Sequence, residues 1–175
     1  MPGWVSWRNF WIFWIGGLLV FGILVATGDI LQTGVAPGGI LDHQAAGTAD
    51  RVDAIQQSWA EAGVLSQARL GMIGDLIFIS LYMIGGIIGG RLIWQYGRSP
   101  TLKKLGLLLV ISYFIFGLSD YVETISQFIQ LLQMQGSDAL AGVAAIFRPI
   151  KVAAFIVGTL VMISALIWHR VERRA

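Results

Sequence analysis

The sequence predicts an all-α membrane protein: a four-transmembrane-helix bundle with a long outer loop carrying a short amphipathic helix, and with both termini cytoplasmic. Three observations predict it. Apolar residues make up 56% of the 175 residues and charged residues only 13%, about half the charged share of a soluble domain. The apolar residues form four continuous runs, 9–27, 71–94, 105–129 and 147–168. Each run is long enough for a hydrocarbon core that takes about 20 helical residues to cross. Segments rich in lysine and arginine alternate with poor ones along the chain, and that alternation orients the crossings. The runs are continuous rather than alternating, so they read as helices that satisfy their own backbone groups in lipid. The whole of 1–175 reads as one membrane domain.

The first element opens with Trp4, Trp7, Trp11 and Trp14, whose spacing of three and four places them on one helical face. Indoles favour the headgroup level, which suits Trp4 and Trp7. Trp11 and Trp14 continue deeper than an anchor requires. The stripe therefore serves either as lipid contact or as a face for a protein partner or a flat cofactor such as a quinone or pigment. Arg8 precedes the apolar run, but "LVATGD" offers no good small-x-small cleavage site, so this helix is expected to be a retained span rather than a signal peptide.

The outer loop, 28–70, begins with irregular, glycine-bearing chain around Pro37. A short helix follows. Thr48 is its expected N-cap, Asp50 and Asp53 lie in its first turns, and Val52, Ile55, Trp59 and Ala62 recur at helical spacing. Gly63 is expected to stop it and Ser66 to cap the next helix. Such a helix would lie flat on the outer surface with Trp59 facing down, as a lid over the bundle end or a gate over a site beneath it.

In the second span, Asp75 sits roughly 6 Å past Gly71. The same span carries "GGIIGG", in which Gly85 pairs with Gly89 and Gly86 with Gly90 at small-x-x-x-small spacing that lets backbones approach closely. The third span has Asp120, Glu123, Gln127 and Gln130 on one face, a face that cannot look at lipid. The fourth begins with Arg148 and Lys151, three residues apart. Counted from the membrane surface, Asp75, Asp120, Glu123, Arg148 and Lys151 reach one layer of the outer leaflet. Ionisable groups at that depth are costly, about 2.5–3.5 kcal/mol each at the centre on insertion scales. They are expected to meet, either to fix helix register or to form a proton site or a polar pocket.

Orientation follows from the basic residues. Arg8, then Arg91, Arg98, Lys103 and Lys104, then Arg170, Arg173 and Arg174 mark three segments expected inside. The first loop holds Asp29, Asp42, Asp50, Asp53 and Glu61 against Arg51 and Arg69, and the third holds Asp138. Both are expected outside.

The stretches "RLGMIGDLIFISLY", "GLSDYVE" and "FRPIKVAAF" resemble a group of small bacterial four-helix integral membrane proteins over residues 48–168. In that group an aspartate stands early in the second helix and an Asp-x-x-Glu in the third, matched here by Asp75, Asp120 and Glu123. The tryptophan-rich start departs from the group. The resemblance implies a fold and no activity.

Several function classes drop out. The chain has no cysteine, which removes disulfides, iron–sulfur ligation and palmitoylation. His43 and His169 are expected on opposite membrane sides, which argues against a bis-histidine haem and a histidine-built metal site. No His-Glu-x-x-His, P-loop, Gly-x-Ser-x-Gly or Rossmann pattern occurs, and the formal charge of +2 gives no reason to expect nucleic acid. The expectation is a non-catalytic subunit, accessory or scaffolding, of a larger assembly in the bacterial inner membrane. It would contact lipids and other membrane subunits, or a second copy of itself, through its tryptophan and glycine faces. The alternative is a small proton- or ligand-binding transport-type bundle with an outer-facing charged pocket.

Overall fold

In the computed structural model, which describes residues 3–174, the chain is built from helices: α1 (Trp7–Thr27), α2 (Ile40–Gln44), α3 (Ala49–Glu61), α4 (Leu65–Tyr96), α5 (Pro100–Gln133) and α6 (Asp138–Arg174). A 3-10 turn, Gly28–Leu31, prolongs α1. Four of these stretches, Trp7–Leu31, Leu65–Tyr96, Pro100–Gln133 and Asp138–Arg174, are long and apolar enough to cross a membrane, which marks a multi-pass membrane protein. The helices outrun the apolar runs that predict them. At 1.5 Å per residue the 32 residues of α4 extend about 48 Å, well beyond a hydrocarbon core of about 30 Å, because helical hydrogen bonding continues into the polar flanks.

Local chemistry sets the helix ends. Ser6, Thr48 and Ser99 cap α1, α3 and α5, each side-chain oxygen accepting a backbone N–H three residues on, and Pro100 occupies the first turn of α5, where no donor is lost. Gly63 takes the left-handed conformation, φ 72°. It closes α3 with paired bonds from Gly63 N–H to the Ala60 carbonyl and from Val64 N–H to the Trp59 carbonyl. Ser66 does not cap α4. That helix starts at Leu65 with Val64 in the cap position and no side-chain cap.

α4 lies between α1 and α5, and α6 packs along α5. The glycines of α4 make this spacing, and they serve two seams. A Cβ on Gly85 would meet the backbone of Trp14, and one on Gly89 would strike the Phe10 ring and Met162. On the other seam, a Cβ on Gly90 would come within 2.8 Å of the Gly106 carbonyl oxygen, and Gly86 accommodates the Tyr113 ring. All four are used for packing inside the chain. This is the helix-packing use that their spacing implies.

Contacts between elements fix which ends coincide. Arg98, in the α4–α5 turn, bonds to Glu172 near the end of α6, and Trp7 stacks on His169. The start of α1, the α4–α5 turn and the end of α6 therefore share one end of the bundle. At the other end the 28–64 segment meets the α5–α6 turn: Ala49 N–H donates to Asp138 and Gly136 N–H to Asp53. There α3 forms a lid over a small core of Leu31, Ile55, Trp59, Ala68, Met72 and Leu131. Trp59 is fully buried, and its indole N–H donates to the Leu31 carbonyl at 2.8 Å. Outward positions such as Leu19, Ile77, Phe114, Leu118, Leu160 and Ile167 remain exposed, as a lipid-facing surface requires.

Candidate functional site

Asp75 on α4, Asp120 and Glu123 on α5 and Lys151 on α6 come together beneath the lid. The Lys151 ammonium lies between two carboxylates, 2.7 Å from Asp120 Oδ1 and 3.1 Å from Glu123 Oε1. Asp120 and Glu123 are buried at 2% and 0% exposure. Asp75 joins through Thr124, whose hydroxyl donates to Asp75 Oδ2 at 2.7 Å and lies 3.5 Å from Asp120 Oδ1. The site thus carries three carboxyl groups around one ammonium.

Each side chain reaches the site because of its helix face. On α5 the predicted polar face holds: Asp120, Glu123, Gln127 and Gln130 are all buried toward α4, α6 and the lid. Lys151 reaches across because its long stem spans from α6 to α5. Arg148 does not join. It is half-buried and, among the described residues, forms no ion pair within 4 Å. Three residues turn a helix about 300°, which rotates Arg148 some distance off the seam that Lys151 faces.

A polar column continues from the carboxyl groups into the lid. Gln127 donates to Glu123 Oε1 at 3.4 Å. Gln130 takes the Ser137 N–H on its oxygen at 2.9 Å, tying the α5–α6 turn to the same face. From the lid, Gln56 and His43 reach down and lie 3.2 Å apart. With its amide oriented to suit its neighbours, Gln56 donates to the Gln130 carbonyl and accepts from His43 Nε2. Burial pushes the His43 imidazole down to a pKa of about 4, against a smaller opposing pull from the neighbouring Gln127. His43 is therefore held neutral.

Among the described residues, three buried polar atoms in this column have no partner: Glu123 Oε2, Gln127 Oε1 and His43 Nδ1. A buried acceptor without a donor is costly, by about 1–3 kcal/mol. All three can take a proton or a hydrogen-bond donor.

One turn nearer the other end of the bundle lie Phe78 and Phe155, which follow Asp75 and Lys151 on their helices, and Phe116, which precedes Asp120 on the oppositely running α5. Their ring centroids lie 5.7–6.4 Å apart. They floor the site with apolar rings. Beyond them runs a hydroxyl string: the Trp14 indole N–H donates to Tyr113 at 2.7 Å, Tyr113 lies 3.4 Å from Tyr82, and Tyr82 pairs with Thr159 at 2.6 Å. This string corrects the reading of the tryptophan stripe as one outward face. Trp14 is 6% exposed, whereas Trp4 and Trp11 are 50% and 45% exposed, and Trp7 is half-buried against His169. The face buried by α1 is centred on Phe10, Trp14 and Gly17, which turns Trp11 outward.

Thr124 and Gln56 were not among the residues singled out from sequence, and His43 was read there only as an argument against a haem or metal site. Gln56 left a signal: it interrupts the apolar face Val52, Ile55, Trp59 of α3. His43 left none, since α2 is a five-residue helix with no periodicity to read. His43 and His169 stand at opposite ends of the bundle. Among the described residues no three His, Asp or Glu side chains are grouped as a metal site would need, and the cation between Asp120 and Glu123 is Lys151 itself. No family model matches the chain, and neither does any curated protein or solved structure.

Proposed function

We propose that this chain is a non-catalytic, proton-binding membrane bundle of the bacterial inner membrane, in which the carboxyl cluster exchanges protons beneath a lid on the extracytoplasmic side. The observation that carries the reading is the count of charges in one largely buried place: three carboxyl groups gather around a single ammonium, and among the described residues Glu123 Oε2 has no partner. Ionised together, they would leave uncompensated buried charge, which costs several kcal/mol. Protons held on the carboxyl groups remove it.

The phenylalanine floor favours a site that loads and unloads from the lid side over a through-pathway. The positive-inside rule supports this orientation, because Arg8, Arg91, Arg98, Lys103, Lys104, Arg170, Arg173 and Arg174 belong to the end opposite the lid. His43, Gln56 and Gln130 connect the lid to the polar face of α5, so proton occupancy is coupled to how firmly the lid is seated.

The test is proton uptake by the protein in sealed vesicles after a pH jump on the lid side. The reading predicts transient, saturable uptake that Glu123→Gln removes, with no sustained acidification of the lumen. Equal signals from wild type and Glu123→Gln would contradict it, and sustained flux would replace it with a transport function.

A second reading, an accessory subunit of a larger membrane assembly, is favoured by a shallow apolar groove of about 510 Å³ between α5 and α6. Ser112, Ile115, Pro149, Ile150, Ala153 and Val157 line it, and it suits a neighbouring helix. Purification in mild detergent that yields this chain alone would count against that reading.

A further inference from the structure

At the end opposite the lid, a cavity of about 370 Å³ is lined by Trp7, Tyr96, Arg98, His169 and Arg173. His169 is 7% exposed, and among the described residues neither ring nitrogen has a hydrogen-bond partner. Its ring stacks on Trp7 with centroids 5.4 Å apart and planes at 23°, which fixes its orientation. Arg98 is held from behind: its backbone N–H donates to Glu172 Oε2 at 3.0 Å and its Nη1 to the Glu172 carbonyl at 2.8 Å. Glu172, the acidic side chain of this end, thus already has a backbone donor of the α4–α5 turn on its carboxylate, and among the described residues no other hydrogen bond takes up the Arg98 guanidinium.

The level of this cavity is marked independently. Trp4, Trp94, Tyr96 and Trp168 are all exposed around it, a girdle of the kind that sits among lipid headgroups. Basic pockets between transmembrane helices at that level suit anionic headgroups. Guanidinium groups match phosphate oxygens in geometry as well as charge.

We propose that this cavity binds a phosphate group at the membrane surface, with Arg98 and Arg173 supplying charge, His169 a hydrogen-bond donor, and Trp7 and Tyr96 the walls. The chemistry is shared by an anionic phospholipid headgroup and by a free phosphate. The site stands at the far end from the carboxyl cluster and does not depend on its reading.

The experiment measures the thermal unfolding midpoint of the full chain in phosphatidylcholine nanodiscs, with phosphatidylglycerol added in one arm and inorganic phosphate in the other. The proposal expects a concentration-dependent rise in midpoint in at least one arm. A rise with phosphatidylglycerol alone identifies a lipid site, and a rise with inorganic phosphate identifies a free-phosphate site. Arg173→Gln, at an exposed position, is expected to weaken the apparent affinity about tenfold. Lys104→Gln, at the same end but outside the cavity, is expected to leave it unchanged. No rise in either arm, or an equal loss in both variants, would overturn the proposal, the latter by reducing the effect to diffuse surface charge.

Discussion

Lys151 is the residue on which the candidate site turns. Its ammonium is the sole cation paired within 4 Å of a carboxylate among the described residues, and it lies between two of the site's three acids. Lys151→Met removes it while keeping the stem's length, and leaves Asp120 and Glu123 buried without a counter-charge. Breaking one partner of a buried pair costs about 3–5 kcal/mol, so unfolding in mixed micelles is expected to show a loss of that size. Combining Lys151→Met with Asp120→Asn and Glu123→Gln neutralises both sides at once and is expected to lose less. A triple variant no better than Lys151→Met would mean that the charges contribute nothing through each other.

Residues of this kind were legible in sequence to different depths. The inward face of α5 could be read because four polar side chains at spacings of three, four and three cannot all face lipid. Arg148 and Lys151 looked equivalent, yet only Lys151 pairs, since which of two neighbouring helix positions meets a seam depends on the rotation of α6 against α5. The tryptophans misled for the same reason. Periodicity gave them a common face, but the line along which α1 packs on α4 divides that face between Trp14 and Trp11.

At the scale of elements, the lid has the clearest pH response. His43 titrates near 6.5 when exposed and near 4 when seated, so the open lid binds more protons than the closed one between those values. Stability of the closed lid is therefore fully present above about pH 6.5 and falls as pH drops toward 4, by up to about 3 kcal/mol across the shift. Protection of the α2 and α3 amides, measured against their intrinsic exchange rates at each pH, is expected to fall over that window in the wild type, with protection at the centre of α4 unchanged. His43→Gln, which cannot take up the proton, is expected to flatten the dependence. An identical pH profile in His43→Gln would show that some other group controls the lid.

The helix boundaries at this scale were read best where one residue decides them, as with Thr48 and Gly63. The docking of α3 was not legible. It rests on Asp53 and Asp138 reaching backbone donors across 83 and 89 residues of chain, and no local pattern encodes such partners. The glycines of α4 announced close approach but not its direction; two seams on α4, toward α1 and toward α5, consume all four.

Taken as a whole molecule, the chain is polarised along the bundle axis. The lid end gathers the carboxyl cluster, His43 and most of the acids, whereas the other end gathers most of the arginines, the exposed aromatic girdle and the Trp7–His169 cavity. Phenylalanines and the Trp14–Tyr113–Tyr82–Thr159 string separate the two. Four apolar helices set this frame, and composition alone made them readable. The contents of each end depended on contacts between helices and so had to come from the structure.

The central claim is that the buried acids beneath the lid carry exchangeable protons, and infrared difference spectroscopy of the protein in lipid, recorded between neutral and alkaline pH, tests it most directly. The account predicts a protonated-carboxyl carbonyl band that disappears on raising the pH, shifts in deuterium oxide and is diminished in Glu123→Gln. A spectrum without such a band, or one that Glu123→Gln leaves unchanged, would contradict it.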